Sequence, residues 1–259
     1  MKTNKHTTPL FNRLLKTTLA AGCLLVAPGI FSQAKKGAEQ QQQLTLLFNL
    51  TAGGAKLLPG NTYTNPFGER YTVQKFKYYI TQLELQDSTD MSTQFFPDNY
   101  FLIDADDTGT QRITIPLSIK HLTSVSFVIG VDSSANVSGK QEGTLDPGYG
   151  MFWTWNTGYI YMKLLATSPA AKVPANTFTF DIGGFKPGES ASRKIGFYIR
   201  HKLSQDVHNI VFGVDVNKLF NGAHDIKIAE HPLCHEPGAL AMQLADNYAT
   251  MFSVQQVTK

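Results

Sequence analysis

Along most of this chain, apolar and polar residues repeat at a period of two, the period of an extended strand half-buried in a sheet. The first such segment is Leu44-Thr45-Leu46-Leu47-Phe48, followed by the turn signals Gly53-Gly54 and Pro59-Gly60-Asn61. Phe76 to Leu85 forms a longer one. Phe76, Tyr78 and Ile80 fall on one face, but the pattern resumes out of phase at Leu83 and Leu85, which predicts a bulge or twist between them. Further strands are expected at 100–103, 112–115, 124–130, 159–166, 177–180, 194–199 and 210–216. Gly, Pro, Asn, Asp and Ser clusters separate them. Helix is sparse. Gly238 to Tyr248 has helical spacing behind Pro237, and 216–220 reads as one turn stopped at Asn221-Gly222. The fold class expected is all-β: a single antiparallel β-sandwich-like domain with long loops and one or two short helices.

The N-terminal end departs from this pattern. Lys2, Lys5, Arg13 and Lys16 precede the apolar stretch Leu19 to Phe31, and Ser32-Gln33-Ala34 carries small residues where a signal peptidase reads. Residues 1–34 are therefore expected to be a signal peptide, and the polar KKGAEQQQQ at 35–43 a disordered leader. The β domain then spans 44–259. The apolar stretch is too short for a permanent span, so no transmembrane segment is expected after cleavage. The expected location is periplasmic or secreted. Leu19-Ala20-Ala21-Gly22-Cys23 offers an alternative, a lipoprotein anchored through Cys23, although Ala20 and the apolar run past Cys23 fit a lipobox poorly.

Export changes how the charge is read. The chain has 23 basic and 20 acidic residues, and the targeting segment takes basic ones only. What remains is near neutral, so no nucleic-acid partner is expected. Cys234 is the one cysteine beyond the targeting segment, which rules out a disulfide within the domain.

Candidate chemistry concentrates in two places. Met151-Phe152-Trp153-Thr154-Trp155-Asn156-Thr157-Gly158-Tyr159 holds both tryptophans of the protein. On an extended strand, Trp153 and Trp155 would share one face with Met151. Such a pair is either a core centrepiece or a site, and the run alone does not decide between them. His231-Pro232-Leu233-Cys234-His235 places two imidazoles and the thiol within five residues, with His224 upstream. N and S donors suit Cu(I) or Zn(II), yet adjacent Cys234 and His235 point to opposite sides of an extended segment. Asp132, Asn136, Asp146, Asn156, Asp181 and Asp215 lie near turns, where acids and amides usually cap loops. There is no Gly-x-Ser-x-Gly elbow, Cys-x-x-Cys-His haem attachment or Gly-rich phosphate loop. No catalytic residue is assigned.

Several ordered blocks together resemble the MbnP-like copper-binding family, in particular its Bacteroidota-type branch. They are Phe76-Lys77-Tyr78-Tyr79-Ile80, Phe127-Val128-Ile129-Gly130-Val131-Asp132-Ser133, Asn136-Val137-Ser138-Gly139 and Leu145-Asp146-Pro147. After the tryptophan run come Ile182-Gly183-Gly184-Phe185, Val214-Asp215-Val216, His235-Glu236-Pro237-Gly238 and 245–252. The resemblance implies an exported β protein that is not an enzyme. It implies copper held by histidines and by a tryptophan oxidised to kynurenine, the oxidant being a dihaem partner of the MauG or cytochrome c peroxidase type. Carried onto this chain, it makes Trp153 and Trp155 the oxidation candidates, with Trp153 slightly preferred. His235 is the imidazole that matches relatives. Asp181, His231 and Asp132 complete the candidate metal set. The chain departs from the pattern at Asp181, where many relatives carry His. A hard carboxylate there disfavours Cu(I) and favours Cu(II), a harder cation or no metal. The alternative function is a metal-free β-sandwich module that binds a partner protein or small ligand.

Overall fold

The computed structural model describes residues 42–156, 158–199 and 209–258. The expected signal peptide, 1–34, and nearly all of the 35–43 leader lie outside the described residues. The strands are β1 Gln43–Ala52, β2 Ala55–Lys56, β3 Thr62–Thr64, β4 Arg70–Asp87, β5 Ser92–Phe96, β6 Phe101–Asp104 and β7 Arg112–Pro116. They continue with β8 Ser124–Ile129, β9 Met162–Thr167, β10 Thr177–Ile182, β11 Arg193–Tyr198, β12 Asn209–Asp215, β13 Leu233–Cys234 and β14 Phe252–Thr258. The α-helices are α1 Ser133–Val137 and α2 Ala239–Ala249, with short 3-10 turns between elements. The all-β expectation with short helices holds. Among the described residues no helix is long and apolar enough to cross a membrane.

One sheet runs β14-β12-β1-β2, with β7 also on β1; the other runs β11-β8-β4-β9-β10-β13, with β3, β5 and β6 also on β4. The sheets face each other across an aromatic core. From the first, Phe48, Phe212 and Phe252 meet Tyr78 and Phe127 of the second at centroid distances of 5.4 to 6.4 Å. Rings of this size bury the most apolar area per residue, so this layer holds the sandwich closed.

The sequence reading expected an antiparallel sandwich, but two of the pairings are parallel. β1 pairs parallel with β12, and β10 parallel with β13. Both joins unite segments distant along the chain, which local patterning cannot reveal. The phase change in β4 is a true bulge: Gln82 has φ 49°, and the β4–β8 register shifts between Thr81 and Glu84.

The outer face of the second sheet carries a row of charged residues. Lys77 of β4 is paired in register with Asp104 of β6 on one side and Lys163 of β9 on the other. Lys163 in turn is paired with Asp181 of β10. Cross-strand partners share a face, so these four strands carry a continuous row: carboxylate, ammonium, ammonium, carboxylate.

Candidate functional site

The tryptophan run is not a strand, contrary to the sequence reading. It is a tight loop closed by an isolated Phe152–Tyr159 bridge. Trp153 N–H donates to Gly158 O (3.1 Å), and Ile160 N–H to Met151 O (2.8 Å). Gly158 sits at φ 128°, a conformation other residues avoid, and a Cβ there would fall 2.9 Å from Asn136 Oδ1, so only glycine lets the loop close on that amide. The indoles nevertheless remain neighbours, with centroids 6.1 Å apart and rings tilted by 50°. Their environments differ sharply. Trp153 is buried, whereas Trp155 is 60% exposed.

Asn136 anchors the loop from below. This wholly buried side chain accepts a hydrogen bond from Tyr159 N–H (2.8 Å), and its Nδ2 faces Val131 O, Asp132 O and Tyr161 Oη at 2.8 to 3.1 Å. The two glycines of Ile182-Gly183-Gly184 make room above β10. A methyl group on Gly183 would lie 2.7 Å from Trp153 Cη2, so the six-membered ring of Trp153 rests on bare backbone. Gly184, at φ 133°, lets Pro237 approach closely. The family blocks are thus one construction: Asn136 and Gly158 shape the loop, Gly183 seats its buried indole, and Gly184 receives the His235-Glu236-Pro237 segment. Trp153 Nε1 is buried and has no hydrogen-bond partner, a costly arrangement.

His235 is held between two anchors, Pro237 and the pairing of Cys234 with Phe180. One residue further in that parallel register, His235 comes level with Asp181. The imidazole is exposed and stands edge-on to Trp155, centroids 6.3 Å apart at 72°. Trp153, Trp155 and His235 are therefore in one chain of ring contacts. Asp181 lies at the same level of the sheet, two residues before Gly183, but its Oδ1 is 2.6 Å from Lys163 Nζ, with both side chains largely buried.

The other candidates are placed elsewhere or occupied. His231 is half-buried, and its N–H closes a turn onto Lys227 O (2.9 Å). His224 Nε2 is 3.1 Å from Asp246 Oδ2. Asp132 is the N-cap of α1, accepting from Ala135 N–H (2.9 Å) and from the hydroxyls of Ser134 and Tyr100. Burial opposes its ionisation, but these bonds outweigh burial and hold its carboxyl below the ordinary value. Asp146 and Asp215 likewise cap turns. Cys234 is buried, and burial, with the Asp181 and Glu236 carboxylates adding to it, pushes the thiol up to about 12. It stays protonated at neutral pH, as buried structural thiols do. Among the described residues no group of three or more His, Cys, Asp and Glu is disposed to hold a metal ion. The unmodified donor set therefore does not fit a resident metal.

Sequence reasoning missed Lys163. Its signal was a cation between Met162 and Leu164 in a strand that otherwise buries apolar residues, but naming its partner needs the register.

Fold and site together define a two-sheet β protein with an aromatic–imidazole surface site held by a Gly-Gly seat. The sequence pattern of the MbnP family matches residues 41–236, and the chain belongs to that family. The solved structure of MbnP from Methylosinus trichosporium shares the fold, with a TM-score of 0.56 at 16% identity, covering 83% of this chain and 98% of that one. No curated protein sequence is matched by the chain.

Proposed function

We propose that this protein is an exported carrier rather than a catalyst, taking copper as cargo at a site built from His235 and an oxidised Trp155. The oxidation is the work of a dihaem peroxidase-like partner. The observation that carries this reading is the exposed indole of Trp155 standing edge-on to the exposed imidazole of His235, with Trp153 buried behind. Exposure favours Trp155 over Trp153 as the modified residue, because a partner reaches it from solvent and its product would lie beside the imidazole.

The chemistry balances with peroxide as the oxidant. The indole C2–C3 bond breaks and each carbon takes one oxygen; two peroxides supply these and leave as water. Hydrolysis of the resulting formamide releases formate and leaves an aryl ketone with a free aryl amine, about 4 Da heavier than tryptophan. That amine adds a neutral nitrogen donor to the imidazole, and two nitrogen donors suit copper.

Copper titration of wild type and His235→Ala, each co-produced with the partner, tests the reading. His235→Ala is expected to lose at least about tenfold in affinity; unchanged affinity and stoichiometry would exclude His235 and the site with it. The second reading, a metal-free binding module, draws support from the Lys163–Asp181 pair, which leaves one carboxylate fewer for any cation. Added copper that fails to raise the thermal stability of co-produced protein would favour it.

A further inference from the structure

We propose that Lys163 is a built-in counter-cation that keeps metal ions off the Asp181 carboxylate, so that cation access to this row of the sheet is set by residue 163. The inference concerns the unmodified chain and does not rest on the copper reading above.

Geometry carries it. Asp181 is the last outward-facing residue of β10, one beyond the Phe180–Cys234 pair and two before the glycine under Trp153. A free carboxylate there would be the start of a cation site. Lys163 Nζ instead sits 2.6 Å from Asp181 Oδ1, in register across β9 and β10. A primary ammonium at that distance is where a bound cation would be. The pair is also fixed from the other side. Lys77, the neighbour of Lys163 on β4, is directed to Asp104 at 2.7 Å, and its Nζ also reaches Tyr149 O at 3.4 Å. Each ammonium has its own carboxylate, so Lys163 cannot exchange Asp181 for Asp104 without leaving Lys77 unpaired. Removing one partner from a largely buried pair costs far more than the pair gains over solvent. A metal ion arriving at Asp181 would have to displace Lys163 and leave its charge beside that of Lys77. The row is electrically closed as it stands.

The test uses the mature chain produced alone, with Zn(II) as a redox-inert probe. In wild type, Asp181→Asn is expected to leave Zn(II) affinity unchanged, and the Asp181 side-chain carboxyl carbon resonance should not move on addition of Zn(II). Lys163→Met is expected to gain Zn(II) affinity by at least about tenfold, and adding Asp181→Asn should abolish the gain. Lys163→Gln, which keeps a hydrogen-bond donor, serves if Lys163→Met does not fold. Weaker wild-type binding after Asp181→Asn, a moving Asp181 carboxyl resonance, or folded Lys163 variants without gain would each overturn the inference. His235→Ala separates the two ideas: its effect on copper in co-produced protein decides the carrier reading and leaves the Asp181 arms untouched.

Discussion

Asn136→Ala is expected to lower unfolding free energy by about 3 kcal/mol and to release the tryptophan loop. The side chain is wholly buried, and its oxygen is the acceptor for Tyr159 N–H. Its amide nitrogen serves the carbonyls of Val131 and Asp132, which lead into α1. Alanine removes the acceptor of the buried Tyr159 N–H and a donor to the Val131 carbonyl, while the Asp132 carbonyl keeps the backbone N–H of residue 136; each such loss costs roughly 1–3 kcal/mol before relaxation. Asn136→Leu restores the volume but not the bonds, so it should fare no better. Denaturant midpoints give the stability, and acrylamide quenching of Trp153 in a Trp155→Phe background reports the loop. An Asn136→Ala midpoint equal to that of wild type would show that the amide is not the anchor.

Gly183→Ala should be nearly as damaging, by about 3 kcal/mol, at the upper end of what overpacking usually costs. The added carbon would fall 2.5 Å from the Tyr159 carbonyl oxygen as well as 2.7 Å from Trp153 Cη2. The first of these is backbone in the loop closure and cannot swing aside, so the loop must lift. Trp153 then gains solvent, and its emission should move to the red. Gly196→Ala is the matched control. It lies within β11, and its new methyl would meet only Ser126 Cβ at 3.6 Å, an ordinary contact. Equal stability for the two variants would mean that Gly183 is not the seat of Trp153.

Much of this architecture was legible in the residues. The period-two pattern placed β1, β4 and β6 to β12, helical spacing behind Pro237 placed α2, and the phase slip at Leu83 marked the bulge at Gln82, because a single extra residue flips every side chain beyond it. β14 was hidden by the polar Ser253, Gln255 and Gln256 on an edge strand. α1 escaped notice at five residues, although Asp132 three residues before Ala135 is a capping signal. The tryptophan run was misassigned as a strand because alternation alone cannot show that the chain folds back so that Trp153 meets Gly158. The contact of the two indoles survived the error, since a tight loop also keeps residues two apart together. Register was beyond reach. Asp181 read from sequence is a lone hard ligand; placed beside Lys163 on β9, it is half of an ion pair. His235 was legible as the imidazole of choice, whereas its contact with Trp155 depends on the parallel β10–β13 pairing, which joins segments about 50 residues apart.

The central claim is that Trp155, beside His235, is the residue a partner oxidises. Intact mass with peptide mapping, on protein co-produced with a dihaem peroxidase of the proposed class, tests this most directly. The expected result is a gain of about 4 Da confined to Trp155, with Trp153 unchanged. Two unmodified tryptophans, or the gain at Trp153 alone, would contradict it.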